Sequence, residues 1–213
     1  MSPAVMTLIS TRGTFLLRKA HEIAIHSTID TGDVDAVVIL AATGLEAFLN
    51  ELERLADMAN VDPDGRLRAL GQMLGEAEKG RAQLSLKYEL AYSILTGNAV
   101  KRGSASYQAL SRLIALRNDL VHPKPIVGND RAKLAKHPHV RYFLDRSIIG
   151  PEDMSGHLTW DRVVLTPAVA VWAYDTAVRS IAALIEIMPQ CPATSEFRRC
   201  WPENVPKPSS GSH

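Results

Sequence analysis

Residues 111–125 combine side chains that can do chemistry with an otherwise apolar run of leucine, isoleucine and valine. Arg117, Asn118 and His122 stand close together in this segment. On a helix, Asn118 and His122 share a face because they are four residues apart, whereas Arg117 points about 140° away from His122. The length of the arginine side chain can close that gap. An imidazole that exchanges protons beside a permanently charged guanidinium is suited to phosphodiester transfer without a metal.

His122 gains two further properties from its predicted place at the end of a helix. Pro123 follows it, and a residue before proline is biased away from helical backbone geometry, so we expect the helix to stop there. The negative end of the helix dipole then favours the protonated imidazole. A structural interpretation stays open, because arginine and aspartate near a helix end often form a local ion pair and a histidine before a proline often only caps the helix.

The elements that must position these residues are helices, because apolar residues recur at three- and four-residue steps along most of the chain. The pattern predicts six helices, at about residues 14–27, 34–59, 66–77, 84–95, 105–122 and 167–188. Asp33, Ser104 and Thr166 are predicted to cap three of them. Short connections between such helices favour an all-α antiparallel bundle with four core helices and additional short ones.

The helical pattern is interrupted once and ends before the C-terminus. We expect one helical domain over residues 1–190 with an irregular insertion at about 123–160, which contains four prolines and no sustained period. One short element is expected inside it, at 140–149. Residues 191–213 form an extension whose end, from Pro202, is rich in proline, serine and glycine and is predicted to be disordered.

The net charge neither identifies nor excludes a nucleic-acid partner. Lys and Arg total 24 against 23 Asp and Glu, so a site for a polyanion must be a local patch. Such a patch follows the candidate site, since six lysines and arginines stand against two aspartates between His122 and Arg146. Four of these basic residues are predicted to contact RNA: Lys124, Arg131, Lys133 and Lys136. An ordinary solvated loop is the alternative interpretation.

Cysteine content and apolar runs bear on the compartment. Cys191 and Cys200 are too few for a disulfide-stapled secreted domain, and the N-terminal residues lack the pattern of a signal peptide. The run 34–45 falls short of the roughly 20 apolar residues that a membrane helix needs. We therefore expect a cytoplasmic protein with no membrane contact. We expect no metal or other cofactor, since His21 and His26, five residues apart, do not face one zinc ion.

Residues 116–125, LRNDLVHPKP, resemble the R-N-x-x-x-H signature of the HEPN family (higher eukaryote and prokaryote nucleotide-binding domains). Residues 41–51, AATGLEAFLNE, are similar to the glutamate-bearing second helix of a stand-alone bacterial subgroup of that family. Residues 84–97 and 103–120 resemble the stretch that leads into the motif in that subgroup. The likeness covers about residues 14–125 and the final helix.

The resemblance implies a metal-independent endoribonuclease that works as a homodimer, with the two motifs meeting in a cleft at the subunit interface. Arg117 would hold the scissile phosphate, and His122 would act as general base on the ribose 2′-hydroxyl or as general acid to the leaving 5′-oxygen. The products would be a 2′,3′-cyclic phosphate and a 5′-hydroxyl. Asn118 would orient His122 or the phosphate. Asp119 lies where the family varies and is given no role.

Glu46 and Asn50 are the predicted supporting residues, four apart on one face of the second helix. The neighbours of Glu46 are apolar, so its carboxylate needs a partner. In one interpretation Glu46 fixes the direction of the Arg117 guanidinium. In the other it pairs with Arg117 or with a helix end and only holds the bundle together.

Two functions remain in competition at this point. The first is an RNA-cleaving enzyme, the toxic or defensive component of a bacterial system that a partner such as an antitoxin protein holds in check. The second is a non-catalytic helical module for interaction or nucleotide binding, in which the motif residues are structural polar groups. The complete set of Arg117, Asn118 and His122 favours the first.

Overall fold

The chain forms an all-α helical bundle, as the sequence predicts. The computed structural model describes residues 11–26, 33–58, 65–122, 131–154 and 159–208, and within these ranges it has ten α-helices and no strand. The α-helices are α1 Thr11–His26, α2 Asp33–Met58, α3 Arg66–Lys79, α4 Leu84–Thr96, α5 Ala105–Val121, α6 Arg131–Ala135, α7 Pro138–Leu144, α8 Trp160–Val164, α9 Pro167–Ile187 and α10 Pro192–Asn204. A short 3₁₀ helix spans Pro151–Met154.

The six predicted helices are confirmed, each to within three residues at either end. Two of the three predicted caps are present: the side chain of Ser104 accepts a hydrogen bond from the backbone of Tyr107, and that of Thr166 from the backbone of Val169. Asp33 does not cap α2 but is its first residue. The local pattern thus predicts which stretches are helical more accurately than it predicts the first residue of each helix.

The long helices α2 and α9 form the centre of the bundle. α2 packs against α1, α3, α5 and α9, and α9 also contacts α1, α4 and α5. The apolar residues at helical spacing along α2 are buried in the core: Val37, Val38, Ala41, Leu45, Phe48, Leu49 and Leu52. The central position of α2 matters for the site because α2 carries Glu46 and Asn50.

α9 is the most apolar helix of the core. By length and composition alone it is long and apolar enough to cross a membrane, but 72% of its most apolar window is buried inside the bundle. A helix that is apolar on all sides is typical of a core helix surrounded by other helices. The packing of α9 against α1, α2, α4 and α5 therefore accounts for its composition.

Removing the cap of α9 tests how much the helix start contributes to stability. We expect Thr166→Ala to lower the free energy of unfolding by about 1 kcal/mol, because the backbone N–H of Val169 loses its side-chain acceptor. Urea denaturation of the purified protein measures the change. Thr166→Ser keeps an acceptor oxygen and serves as the control. Equal losses in the two variants would contradict a role for the hydroxyl.

The insertion contains more helix than the sequence indicates. The short element expected at 140–149 begins earlier, at Pro138, and ends at Leu144 as α7. Three further short helices, α6, the 3₁₀ helix and α8, were not predicted. Elements of four to seven residues span two turns at most, so a 3.6-residue period has no length over which to repeat. Residues 123–130 and 155–158 lie outside the described part of the chain.

The last described helix extends into the segment where the composition predicts disorder. α10 runs from Pro192 to Asn204 and so continues past Pro202, and residues 209–213 lie outside the described part of the chain. The rings of Phe197 and Trp201 lie 5.8 and 5.4 Å from the ring of Phe48 in α2, measured between centroids. Burial of large aromatic side chains is strongly stabilising, and it outweighs a local composition rich in proline and polar residues.

Candidate functional site

The C-terminal end of α5 carries the three predicted catalytic residues. Arg117 and Asn118 lie in the last turns of this helix, which ends at Val121. His122 is the residue that follows, and its backbone N–H still donates to the carbonyl of Asn118 at 2.9 Å. The helix therefore stops at the residue before Pro123, as predicted, and the imidazole stands at the carbonyl end of the helix.

The Arg117 guanidinium is held by two neighbours. Its Nη1 donates to Oδ1 of Asn118 at 3.1 Å, and its Nη2 lies 3.7 Å from Oε2 of Glu46. The third nitrogen, Nε, is buried and has no hydrogen-bond partner among the described residues. The Arg117 side chain as a whole is 31% exposed. A guanidinium has five N–H donors, so these contacts leave donors for an anion.

The side chain of His122 differs from that of Arg117 in that it is exposed. Its imidazole makes no hydrogen bond or ion pair with the residues that the structure describes. Arg117 and His122 therefore lie at the same helix end without bonding to each other.

Glu46 and Asn50 meet around a buried lysine, Lys87 in α4, whose side chain is 3% exposed. The ammonium group of Lys87 donates to a carboxylate oxygen of Glu78 and, at 3.4 Å, to Oδ1 of Asn50. It also lies 3.9 Å from Oε1 of Glu46. A buried ammonium needs such partners, since loss of hydration is costly for a charge.

Glu46 thus bridges Lys87 and Arg117 with its two carboxylate oxygens. The predicted pairing of Glu46 with Arg117 is confirmed, and the same contact serves both the positioning and the bundle-holding interpretation. Sequence reasoning missed Lys87. Its signal was its place on the apolar face of the predicted helix, where Tyr88 and Ala91 are also buried.

A second polar network fixes the other side of α5. Arg112 Nη1 lies 3.3 Å from Nδ1 of His139, and Nε2 of His139 lies 2.9 Å from Oδ2 of Asp119. Because a guanidinium only donates, Nδ1 must accept and Nε2 carries the hydrogen that it donates to Asp119. His139 is 1% exposed. Asp119, which received no role from the sequence, is therefore tied to the insertion.

Burial decides the charge of His139. Loss of hydration is the largest effect, and it lowers the pKa of His139 to about 4. The hydrogen bond to Asp119 and the negative charge of Asp119 raise this pKa, whereas the positive charge of Arg112 lowers it further. The imidazole is consequently neutral at neutral pH, in agreement with the hydrogen-bond directions. Its ring centroid lies 5.0 Å from that of Trp160, at the start of α8. The network therefore joins α5, α7 and α8.

The structure describes the side chains of two of the four residues that are predicted to contact RNA. Lys133 in α6 and Lys136 just after it are exposed. Arg131 begins α6, but its side chain is outside the described residues, and so is the whole of Lys124. Exposure of two lysines satisfies the RNA-binding interpretation and the solvated-loop interpretation equally.

Comparisons with protein-family models, with curated proteins and with solved structures find no match to this chain. The resemblance to the HEPN family therefore depends on the residues of this chain alone.

Proposed function

We propose that this protein is a metal-independent endoribonuclease of the HEPN type. The observation that supports the proposal is the C-terminal end of α5, which carries both a guanidinium held by Glu46 and Asn118 and, five residues further on, an exposed imidazole. Guanidinium groups bind phosphate with charge-assisted hydrogen bonds, and histidine accepts and donates protons near neutral pH. These are the two functions that cleavage of RNA through its own 2′-hydroxyl requires.

In this mechanism the ribose 2′-oxygen attacks the phosphorus atom, and the bond from phosphorus to the 5′-oxygen breaks. His122 as general base accepts the proton of the 2′-hydroxyl, or as general acid donates a proton to the leaving 5′-oxygen. Arg117 stabilises the negative charge that develops on the non-bridging oxygens. The products are a 2′,3′-cyclic phosphate and a 5′-hydroxyl.

The proposed assembly is a homodimer in which the two motifs share a cleft. A two-fold axis beside Arg117 would bring a second copy of each group into the same groove, so that one His122 accepts a proton and the other donates one. RNA is the proposed substrate, with Lys133 and Lys136 on the path of its backbone, and an antitoxin protein is the proposed regulator. A monomeric mass by light scattering would contradict the shared cleft.

Incubation of the purified protein with mixed-sequence RNA in EDTA tests the proposal. We expect cleavage that persists in the chelator and leaves cyclic phosphate and 5′-hydroxyl ends. Cleavage that requires a divalent cation, or that leaves 5′-phosphate ends, would overturn it. Growth arrest on expression, relieved by the His122→Ala substitution, is the matching test in cells.

The alternative is a non-catalytic helical module for interaction or nucleotide binding. One observation favours it: Arg117 bonds to Glu46 and Asn118 and not to His122, as a structural ion pair would. In that case RNA remains intact in the assay.

Glu46→Gln separates a positioning role from a structural one. We expect it to reduce RNA cleavage by about tenfold to a hundredfold, because the guanidinium loses the charge that directs it and small misplacements of a catalytic group are costly. The single-turnover cleavage rate measures the loss. Glu76→Gln removes a carboxylate from an exposed ion pair on α3 and is the matched control. An unchanged rate for Glu46→Gln with an unchanged melting temperature would assign Glu46 no part in catalysis.

A further inference from the structure

A cavity lies at the opposite end of α5 from Arg117 and His122. It has a volume of about 360 Å³ and opens between the first turns of α5, the residues around the end of α7 and one face of α9. Ala109, the lining residue of α5 nearest to Arg117, is eight residues from it, which corresponds to roughly 12 Å along the helix axis. The cavity is therefore separate from the proposed ribonuclease site, and its volume is in the range of roughly 300–1,000 Å³ that small-molecule sites have.

Aromatic and aliphatic side chains form most of the cavity wall. The rings of Tyr142 and Trp172 meet edge to face, with centroids 5.8 Å apart. Tyr88, Ile148 and Val171 also line the cavity. Planar apolar groups pack favourably against such rings.

The charges that line the cavity are not balanced. Arg179 and Asp175 lie one turn apart on α9, with Nη2 and Oδ2 separated by 3.6 Å, so these two charges offset each other. Arg146 also lines the cavity, and no carboxylate of the described residues lies within ion-pair distance of it. The wall therefore carries one positive charge in excess.

The guanidinium of Arg146 is held in place by neutral groups. Its central carbon lies 3.8 Å from the centroid of the Tyr142 ring, and its Nη2 donates to Oε1 of Gln108 at 3.0 Å. These contacts fix the orientation of the guanidinium without neutralising it. A positioned cation beside an apolar wall is the combination that recognises a molecule with an apolar body and an anionic group.

We propose that this cavity binds a small amphipathic anion, an aromatic ring system that carries one carboxylate, sulfonate or phosphate. The ring packs against Tyr142 and Trp172, and the anionic group pairs with Arg146. The proposal does not depend on the proposed ribonuclease function.

Two fluorescent probes that differ by one charged group test the proposal. 8-Anilinonaphthalene-1-sulfonate carries a sulfonate, and N-phenyl-1-naphthylamine has the same rings without it. We expect the full-length protein to bind one sulfonate probe per chain, measured by fluorescence titration and by calorimetry. We expect Arg146→Met to weaken binding of the sulfonate probe by about tenfold and that of the uncharged probe by less than about twofold.

Two further variants place the binding in this cavity. Arg141→Met removes an exposed arginine from α7 and should leave the affinity for both probes unchanged. Ala109→Trp fills the cavity from α5 and should abolish binding of both probes, provided that circular dichroism shows an intact helical fold. If that variant does not fold, the comparison of Arg146→Met with Arg141→Met decides alone. Absence of sulfonate binding to the wild type, or equal affinity of the wild type and Arg146→Met, would overturn the proposal.

Discussion

RNA cleavage by the Arg117→Ala and His122→Ala proteins is expected to fall by about 10²–10⁴-fold relative to the wild type. Alanine at position 117 removes the cation that stabilises charge on the phosphate, and alanine at position 122 removes the group that exchanges the proton. Single-turnover rates with a defined RNA in EDTA measure both losses.

The environment of His122 and the chemistry of Arg117 predict how these substitutions affect stability and how far a conservative replacement restores activity. His122 is exposed and its imidazole bonds to none of the described residues, so His122→Ala should leave the melting temperature unchanged. Arg117→Lys keeps the charge but not the planar fork, and we expect it to recover only part of the lost activity. Wild-type rates in both alanine variants would show that the cleaving activity belongs to a contaminant.

Acidification from about pH 7 to pH 4 is expected to remove roughly 3 kcal/mol of folding stability through His139 alone. The pKa of this imidazole is about 4 in the folded protein and 6.5 when it is solvated. Between these pH values the unfolded chain binds a proton that the folded chain rejects, so stability falls as the pH falls. The contribution is complete above about pH 6.5 and is lost as the pH drops toward 4.

Urea denaturation of the wild type and of His139→Asn at several pH values isolates this effect. Asparagine does not titrate, so the variant should lose less stability between pH 7 and pH 4.5 than the wild type, although it is less stable at pH 7. Two charges face the imidazole, Arg112 in α5 and Asp119 about two turns further along the same helix, and both are present in the two proteins. Parallel curves of unfolding free energy against pH would contradict the buried neutral state of His139.

The network around His139 connects the insertion to the proposed site. Asp119 lies one helical turn before His122. His139 in α7 donates to its carboxylate, and Arg112 in α5 donates to the other ring nitrogen of His139. Tyr142, whose ring faces Arg112 at 5.1 Å, also lines the cavity proposed to bind an anion. One continuous set of side chains therefore runs from that cavity to the C-terminal end of α5.

Much of the architecture follows from local pattern. Repeating apolar positions predicted six helices, because each of these helices is long enough for the 3.6-residue period to recur. The hydroxyl groups of Ser104 and Thr166 indicated where two of the helices begin. The stop at His122 followed from the backbone restriction that Pro123 imposes. The helices α6 and α8, of five residues each, did not follow from pattern because they are too short for the period to recur. The continuation of α10 past Pro202 did not follow either, because Phe197 and Trp201 of that helix pack against Phe48, which is distant in the sequence.

For the candidate site, the sequence by itself determined which groups share the end of α5, because positions along one helix depend only on spacing. It also indicated that Glu46 needs a partner, since a carboxylate among apolar neighbours must be compensated. Only the tertiary structure decided that Lys87 and Arg117 share that carboxylate, and that Asp119 bonds to His139. These contacts join residues on different helices, and the choice of partner depends on how the helices pack and on which charges that packing removes from water.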